Sequence, residues 1–455
     1  MSKLYDVFSG FCRAEQILQD EANLLAYSYD NSRISFKPQI VLLPETEEEI
    51  VKTVLACKNS KIPLTVRGRG TATTGAALPT EGGVVLSTER FNKVIDFCPA
   101  SKYIVVEPGI TNQHLQDICK EQNLFWGPNP SSMGFSSVGG NLACNSAGSR
   151  SLKYGAARDK TLAVRFVTGE GKIITSGKAV SKQAVGFDFA RLIIGSEGML
   201  GIILNATLKL DFLPEQTTTI RVIYKDTRSA GDAIISIMQQ TLIPTSLEFL
   251  DRHSVALIRD DVDLPPGDEI LMLIIEVDGD AAAIKHAIDQ VNKAARNSGL
   301  LEFMVADSKP AKQKIWQARK ALSPKLRKIA PKKINEDVVV PIDKLATLLV
   351  GLDRLRAKYA INIVNFGHAG NGNIHVNLLV DPDDEKRVAR AAKCLDEIFK
   401  LVLKLGGSIS GEHGIGLVKR DFLPLELGDN NLELMRKVKS QFDPDNILNP
   451  GKLLA

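Results

Sequence analysis

Apolar and polar positions along this chain follow two different periods. Residues 44–68 open with Thr46 and Glu49 at capping-box spacing, continue with apolar positions at helical spacing, and end in the short apolar run IPLTVRG. Further short apolar runs, separated by glycine-containing turns, then read as strands: GGVVLST, YIVVEPG, TLAVRFV, KIITSG and LGIILNATLKL. The pattern predicts a mixed helix and strand domain that extends to about residue 212.

A second domain is predicted beyond the segment Phe212-Leu213-Pro214. Strand-like runs such as SLEFLD and EILMLIIEVDG alternate there with helical patterns such as AAIKHAIDQVNKAARNSG, which is typical of an α+β domain. From Glu412 the chain runs to the proline-punctuated, non-helical end FDPDNILNPGKLLA. We therefore divide the chain into residues 1–212, 213–411 and 412–455.

Composition narrows the class of protein. The 455 residues are 44% hydrophobic and 24% charged with a net charge of +4, which argues against a nucleic-acid or strongly anionic-membrane surface. The six cysteines are scattered without a C-x-x-C pair, so we expect reduced thiols and no iron–sulfur cluster in this chain. With neither an apolar signal segment nor a membrane-spanning run, we expect a cytoplasmic protein. Peripheral attachment to the inner membrane stays open.

The segment FGHAGNGNIHVN holds two of the six histidines. An Asn371-Gly372 hairpin turn would place His368 directly opposite His375, with Cβ atoms about 4.5–5.5 Å apart. Both imidazoles could then reach one metal ion, and Asn377 would point to the same face of the strand. A surface hairpin with two unrelated histidines is the alternative.

Two loops of small residues have the composition of ligand-binding loops. Residues 67–75, RGRGTATTG, could form a backbone nest for an anion, although Thr73 breaks the dinucleotide fingerprint and a plain turn is the alternative. Residues 127–159 are rich in Gly, Ser, Asn and Ala, which suits the backbone approach to a large polyphosphate cofactor. The segment GSEGMLGI at 195–202 is a third loop of this kind.

Seven segments in order resemble the FAD-linked 2-hydroxyacid dehydrogenases of the vanillyl-alcohol-oxidase fold group. They are RGRGTATTG, NPSSMGFSSVGGNLACNSAGS, LKYGAARD, GFDFARLIIGSEGMLGII, GHAGNGNIHVN, SGEHGIGLVKR and FDPDNILNPGKLL. The group includes the glycolate oxidase flavin subunit, D-lactate dehydrogenases and D-2-hydroxyglutarate dehydrogenase. The resemblance implies an α+β fold: a two-subdomain FAD-binding domain of the vanillyl-alcohol-oxidase/PCMH type, an α+β substrate or cap domain with an antiparallel sheet, and a C-terminal segment that returns to the FAD domain.

The resemblance also implies which residues contact FAD. Some relatives attach FAD through a histidine of the first loop, but none lies between Arg67 and Pro79, so we expect non-covalent FAD. The matching positions are Arg67, Gly68, Arg69, Gly70, Thr71, Thr74, Gly75, Pro130, Ser131, Ser132, Gly139, Gly140, Asn141, Asn145, Gly195, Glu197, Gly198, Ile202 and Asn449.

A catalytic set follows from the same resemblance. In the metal-dependent members of the group, the positions that match His368, His375 and Glu412 bind a divalent metal ion. Zinc, manganese and iron all accept this set of ligands. His413 matches the catalytic base and Arg319 the arginine that holds the substrate carboxylate; Asn377 is expected to hold the substrate or order the metal site. Two positions differ from the hydroxyglutarate enzymes of this group: Asn335 stands in place of a lysine, and Ser323 in place of a threonine. Both differences weaken the case for a long dicarboxylate substrate.

The implied activity is oxidation of a D-2-hydroxy acid, D-lactate or a close relative, to the 2-oxo acid. No nicotinamide fingerprint is present, so the electrons are expected to pass to an external quinone, cytochrome or electron-transfer flavoprotein. Two alternatives stay open: a flavin-carrying electron-transfer subunit with an iron–sulfur partner, and another enzyme of the same fold, such as an oxidase that reacts with oxygen or an enzyme similar to alkylglycerone-phosphate synthase. A homodimer is also left open.

Overall fold

The computed structural model describes residues 3–454. The chain forms two compact units, each built from segments that are distant in sequence. The first unit combines Met1–Gly148, Gly155–Leu213 and Glu412–Ala455, and the second combines Ser149–Tyr154 with Pro214–Gly411.

Within residues 3–454, the first unit holds eleven short strands and seven α-helices. Its strands are β1 (Ile17–Leu18), β2 (Ile40–Leu42), β3 (Leu64–Arg67), β4 (Val84–Ser87), β5 (Val94–Cys98), β6 (Tyr103–Val106), β7 (Leu124–Phe125), β8 (Thr161–Val167), β9 (Ile173–Gly177), β10 (Ile202–Lys209) and β11 (Asp211–Phe212). Its helices are α1 (Lys3–Phe8), α2 (Glu21–Ala26), α3 (Glu47–Ser60), α4 (Asn112–Lys120), α5 (Val138–Ala143), α7 (Phe189–Ile193) and α14 (Leu423–Phe442).

Two sheets organise the first unit. One has the order β1-β2-β4-β3 with parallel β2, β4 and β3, and the other is an antiparallel sheet of order β5-β6-β10-β8-β9. Helix α3 begins at the predicted capping box, in which Thr46 Oγ1 accepts from the Glu49 amide at 3.2 Å and Glu49 accepts from the Thr46 amide at 3.1 Å. Its apolar face packs on the first sheet, which explains the helical spacing seen in the sequence.

The C-terminal segment completes the first sheet. The Leu64 amide donates to the Ile447 carbonyl at 2.8 Å, and the Asn449 amide donates to the Leu64 carbonyl at 2.9 Å, so the segment lies parallel to the edge strand β3. The buried Lys439, on the long helix α14, donates to the carbonyls of Met199 and Leu448 at 2.8 Å each. Residues 447–449 are therefore part of this unit's folded interior.

The second unit is built on one sheet of seven strands, all antiparallel, in the order β15-β12-β14-β13-β17-β18-β16. The strands are β12 (Gln216–Tyr224), β13 (Ser246–Leu250), β14 (Leu271–Gly279), β15 (Leu300–Val305), β16 (Lys332–Val339), β17 (Asn362–Gly367) and β18 (Asn373–Val380). The helices are α6 (Ser151–Tyr154), α8 (Thr227–Met238), α9 (Arg252–Ile258), α10 (Ala281–Ala295), α11 (Lys309–Ile329), α12 (Leu345–Tyr359) and α13 (Glu385–Lys404).

The strands at the centre of this second sheet are almost wholly buried. Strands β13 and β18 have no exposed residue, so any charged side chain on them must find a partner inside the protein. No helix within residues 3–454 has both the length and the apolar composition that crossing a membrane requires.

Candidate active site

A large cavity lies within the first unit. Its empty volume is about 1290 Å³, which includes the open solvent at its mouth. Thirteen of the nineteen positions predicted to contact FAD line it, and so do Glu412 and His413. The thirteen are Gly68, Arg69, Gly70, Thr71, Pro130, Ser131, Ser132, Gly139, Gly140, Asn141, Glu197, Gly198 and Asn449.

Glycines let two walls of this cavity approach closely. A Cβ atom on Gly68 would lie only 2.4 Å from the Ser137 hydroxyl, which caps helix α5 by accepting from the Gly140 amide at 3.3 Å. Any larger residue at position 68 would therefore push the first loop away from α5. Most residues that line the cavity are glycine, alanine, serine or threonine, a composition that fits the close approach of a large phosphate-bearing cofactor.

The other six predicted positions are not among the lining residues. Two of them illustrate a supporting role: the buried guanidinium of Arg67 packs under Gly70, where a Cβ would lie 2.1 Å from it, and the side-chain oxygen of Asn145 accepts from the Arg158 amide at 2.9 Å. Burial lowers the pKa of Arg67 from its usual value. The six are Arg67, Thr74, Gly75, Asn145, Gly195 and Ile202.

Glu197 anchors the loop that carries His413. One carboxylate oxygen accepts from the Ile415 amide at 2.6 Å and the other from the Gly416 amide at 2.8 Å, while burial raises the pKa of this carboxyl group. Thr74 adds a second attachment, because its hydroxyl donates to the His413 carbonyl at 3.3 Å. Glu197 was predicted as a cofactor contact; its carboxylate serves to hold the loop in place.

Asn449 joins three segments of the cavity wall. Its side-chain oxygen accepts from the Val66 amide at 3.1 Å, and its side-chain nitrogen donates to the carbonyls of Ala76 at 3.2 Å and Glu197 at 2.5 Å. The residue is 1% exposed and has a φ of 44°, a left-handed conformation that asparagine tolerates better than most residues. Both ends of its amide therefore bind the protein itself.

In the second unit, the connection between β17 and β18 differs from the predicted hairpin. Phe366, rather than His368, lies opposite His375, so the predicted two-residue turn is wrong. A 3₁₀ turn over Ala369–Asn371 fills the connection instead, and the Gly372 carbonyl accepts from the Val340 amide at 3.0 Å. This contact with a neighbouring segment, which sequence alone does not reveal, favours the longer turn.

The two imidazoles nevertheless meet. A register error of two residues keeps side chains on the same face of the sheet, because successive strand residues alternate in direction. The ring centroids of His368 and His375 lie 5.3 Å apart with an angle of 84° between the ring planes. Such a pair of nitrogen donors fits one divalent metal ion.

Glu248, which the sequence analysis missed, lies at the centre of the second unit's polar cluster. The β13–β17 register pairs Phe249 with Gly367, and its continuation places Glu248 opposite His368. One carboxylate oxygen bonds to His368 Nδ1, and the other accepts from two nitrogens of Arg319 at 2.8 and 2.7 Å. The available signal was a single charged residue inside the apolar run SLEFL.

The charge of Glu248 is stabilised by its partners. Burial opposes ionisation of this carboxyl group, but His368 and Arg319 outweigh burial and lower the pKa of Glu248 to about 2. Arg319 also lies over the Phe366 ring, with its guanidinium carbon 4.6 Å from the ring centroid. Arg319 is thus held in place, and is not the exposed helix arginine that its sequence context allowed.

Asn377 is fully buried beside the histidines. Its side-chain nitrogen donates to the carbonyls of Val364 at 3.0 Å and His375 at 3.1 Å. Within the part of the chain that the structure describes, its side-chain oxygen has no hydrogen-bond partner. On the neighbouring strand, Asp337 lies opposite His375 and accepts from the Gly411 amide at 2.9 Å.

Lys333 contacts the helix that carries Arg319. Lys333 Nζ donates to the Ser323 hydroxyl at 2.9 Å, and Ser323 lies one helical turn beyond Arg319 on α11. Lys333 precedes Asn335 by two residues on β16, so both point to the same side of the strand. Asn335 stands where the hydroxyglutarate enzymes have a lysine, but Lys333 still supplies a cation in this region. The presence of Asn335 therefore counts less strongly against a dicarboxylate substrate.

Comparison with known proteins defines the class. Residues 38–177 match the family described as FAD binding domain, and residues 213–453 match FAD linked oxidases, C-terminal domain. The fold is similar to that of a p-cresol methylhydroxylase crystal structure, with a TM-score of 0.82 and 17% identity over 99% of this chain and 96% of that chain. The protein is an FAD-binding oxidoreductase with the α+β fold of the vanillyl-alcohol-oxidase group.

Sequence relatives then give the family. The chain is 33% identical to the glycolate oxidase subunit GlcD of Bacillus subtilis, over 97% of this chain and 94% of that protein. It is 30% identical to a D-lactate dehydrogenase of Anaerostipes hadrus, over 99% of this chain and 97% of that protein. The chain belongs to the FAD-linked oxidase family.

Replacing Asn449 by aspartate is expected to weaken FAD binding by about a hundredfold. A carboxylate can still accept from Val66, but it cannot donate to Ala76 and Glu197, and its charge would face their carbonyl oxygens. The combined loss is about 3 kcal/mol. Fluorescence titration of the apoprotein with FAD measures the effect. The control is Asn431→Asp, which adds the same charge on the exposed face of α14. Equal affinities for both variants would show that Asn449 does not shape the cofactor site.

Proposed function

We propose that this chain oxidises a small D-2-hydroxy acid, D-lactate or a close relative, to the 2-oxo acid. The observation that carries the proposal is the cluster in the second unit, where Glu248 joins an imidazole and a guanidinium. A 2-hydroxy acid has its hydroxyl and carboxylate on adjacent carbons. It therefore needs a site for each group, side by side, and Arg319 is suited to the carboxylate.

We further propose that His368 and His375 hold a divalent metal ion, with Glu412 as the third ligand. Chain continuity supports Glu412: Gly411 is hydrogen-bonded to Asp337, which lies opposite His375, and one peptide bond joins Gly411 to Glu412. A Cβ on Gly411 would lie 2.4 Å from the Asn373 side chain, so only glycine permits this approach. A bound ion would act as a Lewis acid toward the substrate oxygens.

His413 is proposed as the general base that takes the proton of the substrate hydroxyl. Its support is the loop geometry, because Glu197 and Thr74 fix the backbone around it and the side chain lines the cavity of the first unit. Asn377 is proposed to orient the substrate or the metal ligands through its buried side-chain oxygen. FAD, held without a covalent bond, supplies the hydride acceptor. An external quinone, cytochrome or electron-transfer flavoprotein would then receive the electrons.

Anaerobic bleaching of the flavin by candidate substrates tests the proposal. We expect rapid bleaching of the metal-quantified protein by D-lactate or a near relative and none by L-lactate. Glycolate, D-malate and D-2-hydroxyglutarate belong in the same series, and a preference for the last two would assign Lys333 to a second carboxylate. A protein with bound FAD that none of these acids bleaches would overturn the proposed substrate class.

A flavin-carrying subunit of a larger complex is the second candidate. It is favoured by the Bacillus subtilis relative, which is named as a subunit of glycolate oxidase. In that case the isolated chain would hold FAD without turnover, and co-purification would recover an iron–sulfur partner. Stereospecific bleaching of the isolated chain would exclude a purely passive role, because a passive carrier does not react with the substrate.

A further inference from the structure

We propose that Glu248 is a positioning residue that sets the affinity of the His368/His375 pair for its metal ion. The inference rests on the proposed metal site and extends it by one residue. Glu248 is 1% exposed and lies on a central strand whose neighbours on both sides are paired, so its carboxylate cannot turn to solvent. Burying a carboxylate costs desolvation free energy, and the packing of the sheet alone does not require a charged residue at this position.

The geometry explains what the carboxylate does to His368. Its contact with Nδ1 requires that this nitrogen carry the proton, because a carboxylate only accepts hydrogen bonds. The tautomer is thereby fixed, and Nε2 is left as the nitrogen with a lone pair. A carboxylate on the far side of a histidine also makes the ring a better donor to a metal, and removing such partners lowers metal affinity by about 10–100-fold.

The second oxygen of Glu248 links the metal pair to Arg319. Two nitrogens of the guanidinium converge on that oxygen, and the same guanidinium stacks on Phe366. The Phe366 ring is also next to His375, with ring centroids 5.9 Å apart. One carboxylate thus sets the positions of the first histidine directly and of the arginine beside it. A shift of Glu248 would move both.

Replacement of Glu248 by glutamine separates this role from simple packing. Glutamine keeps the shape, but it can accept with one end only and must present its N–H₂ group to either His368 Nδ1–H or Arg319. We expect Zn²⁺ and Co²⁺ to bind the apoprotein about 10–100-fold more weakly, measured by competition with a chromophoric chelator. FAD content is expected to be unchanged, since the FAD cavity belongs to the other unit.

Glu302→Gln is the matched control. Glu302 lies on β15 of the same sheet and pairs with Arg221 at 2.7 Å, so the variant changes a partly exposed carboxylate–guanidinium contact away from the histidines. We expect its melting temperature to fall while its metal affinity stays that of the unmodified protein. If Glu248→Gln does not fold, Glu248→Asp keeps the charge and withdraws it by one methylene, and weaker metal binding is again expected.

The outcomes distinguish this inference from the proposed function. Metal affinity within twofold of the unmodified protein in Glu248→Gln, or in Glu248→Asp, would overturn the role of Glu248 and leave the metal site standing. If the unmodified protein binds neither Zn²⁺ nor Co²⁺ and bleaches with substrate unaided, the metal site itself is wrong and the inference falls with it.

Discussion

Replacing His375 by alanine is expected to remove the metal ion and to lower turnover by about a thousandfold. The ring centroid of His375 lies 5.3 Å from that of His368 and 5.9 Å from that of Phe366. Loss of one nitrogen donor from a three-ligand site leaves too few ligands to retain a divalent ion. A Lewis acid lowers the activation free energy by several kcal/mol, and about 4 kcal/mol corresponds to a thousandfold change in rate.

Metal analysis and steady-state rates on the same sample measure this effect. His286→Ala is the control, since His286 is an exposed residue of α10. FAD content should equal that of the unmodified protein in both variants, which separates loss of the metal from general unfolding. Full metal content together with full turnover in His375→Ala would refute the assignment of His375 as a ligand.

Replacing His413 by glutamine is expected to slow flavin reduction by about 10²–10⁴-fold while FAD stays bound. Proton transfer by a positioned side chain contributes a factor of this size, and glutamine cannot act as a base. The side chain lines the cofactor cavity, and Glu197 holds the two residues that follow Gly414, so the substitution changes the chemistry of the loop rather than its position.

Anaerobic stopped-flow measurement of flavin reduction isolates this step from the later transfer of electrons to the acceptor. His114→Gln, on the exposed face of α4, is the control in the same unit. Metal content should be normal in both variants. A reduction rate within threefold of the unmodified protein would show that another group takes the proton.

Local signals in the sequence were enough to predict many elements of the fold. The capping box at Thr46 and Glu49 sets the start of α3 as predicted, and the apolar runs at 64–67, 84–87 and 202–209 are strands. The class of fold, the family and the FAD cofactor followed from the ordered motifs and are confirmed by the comparisons. These features are encoded within short stretches of chain.

The features that sequence did not predict depend on contacts between distant residues. The turn after His368 is longer than predicted, and its Gly372 carbonyl accepts a hydrogen bond from the Val340 amide. No local sequence pattern indicates this contact. The role of Glu248 depends on a register between β13 and β17, more than a hundred residues apart, that only the folded sheet defines. Asn449 and Glu197 line the cavity, and their side chains also join segments of its wall that are distant in sequence.

The discontinuity of the first unit has a consequence for how the protein is made. A ribosome delivers residues 1–213 well before residues 412–455, and domains generally fold as units during synthesis at about 5–20 residues per second. The edge of β3 lacks its partner until the segment around Leu448 emerges, and Asn449, which joins three segments of the cavity wall, follows directly after it. The nascent chain therefore cannot complete its flavin cavity until residue 449 has been synthesised, and a chain truncated before this segment would contain most of the fold without the closed cavity.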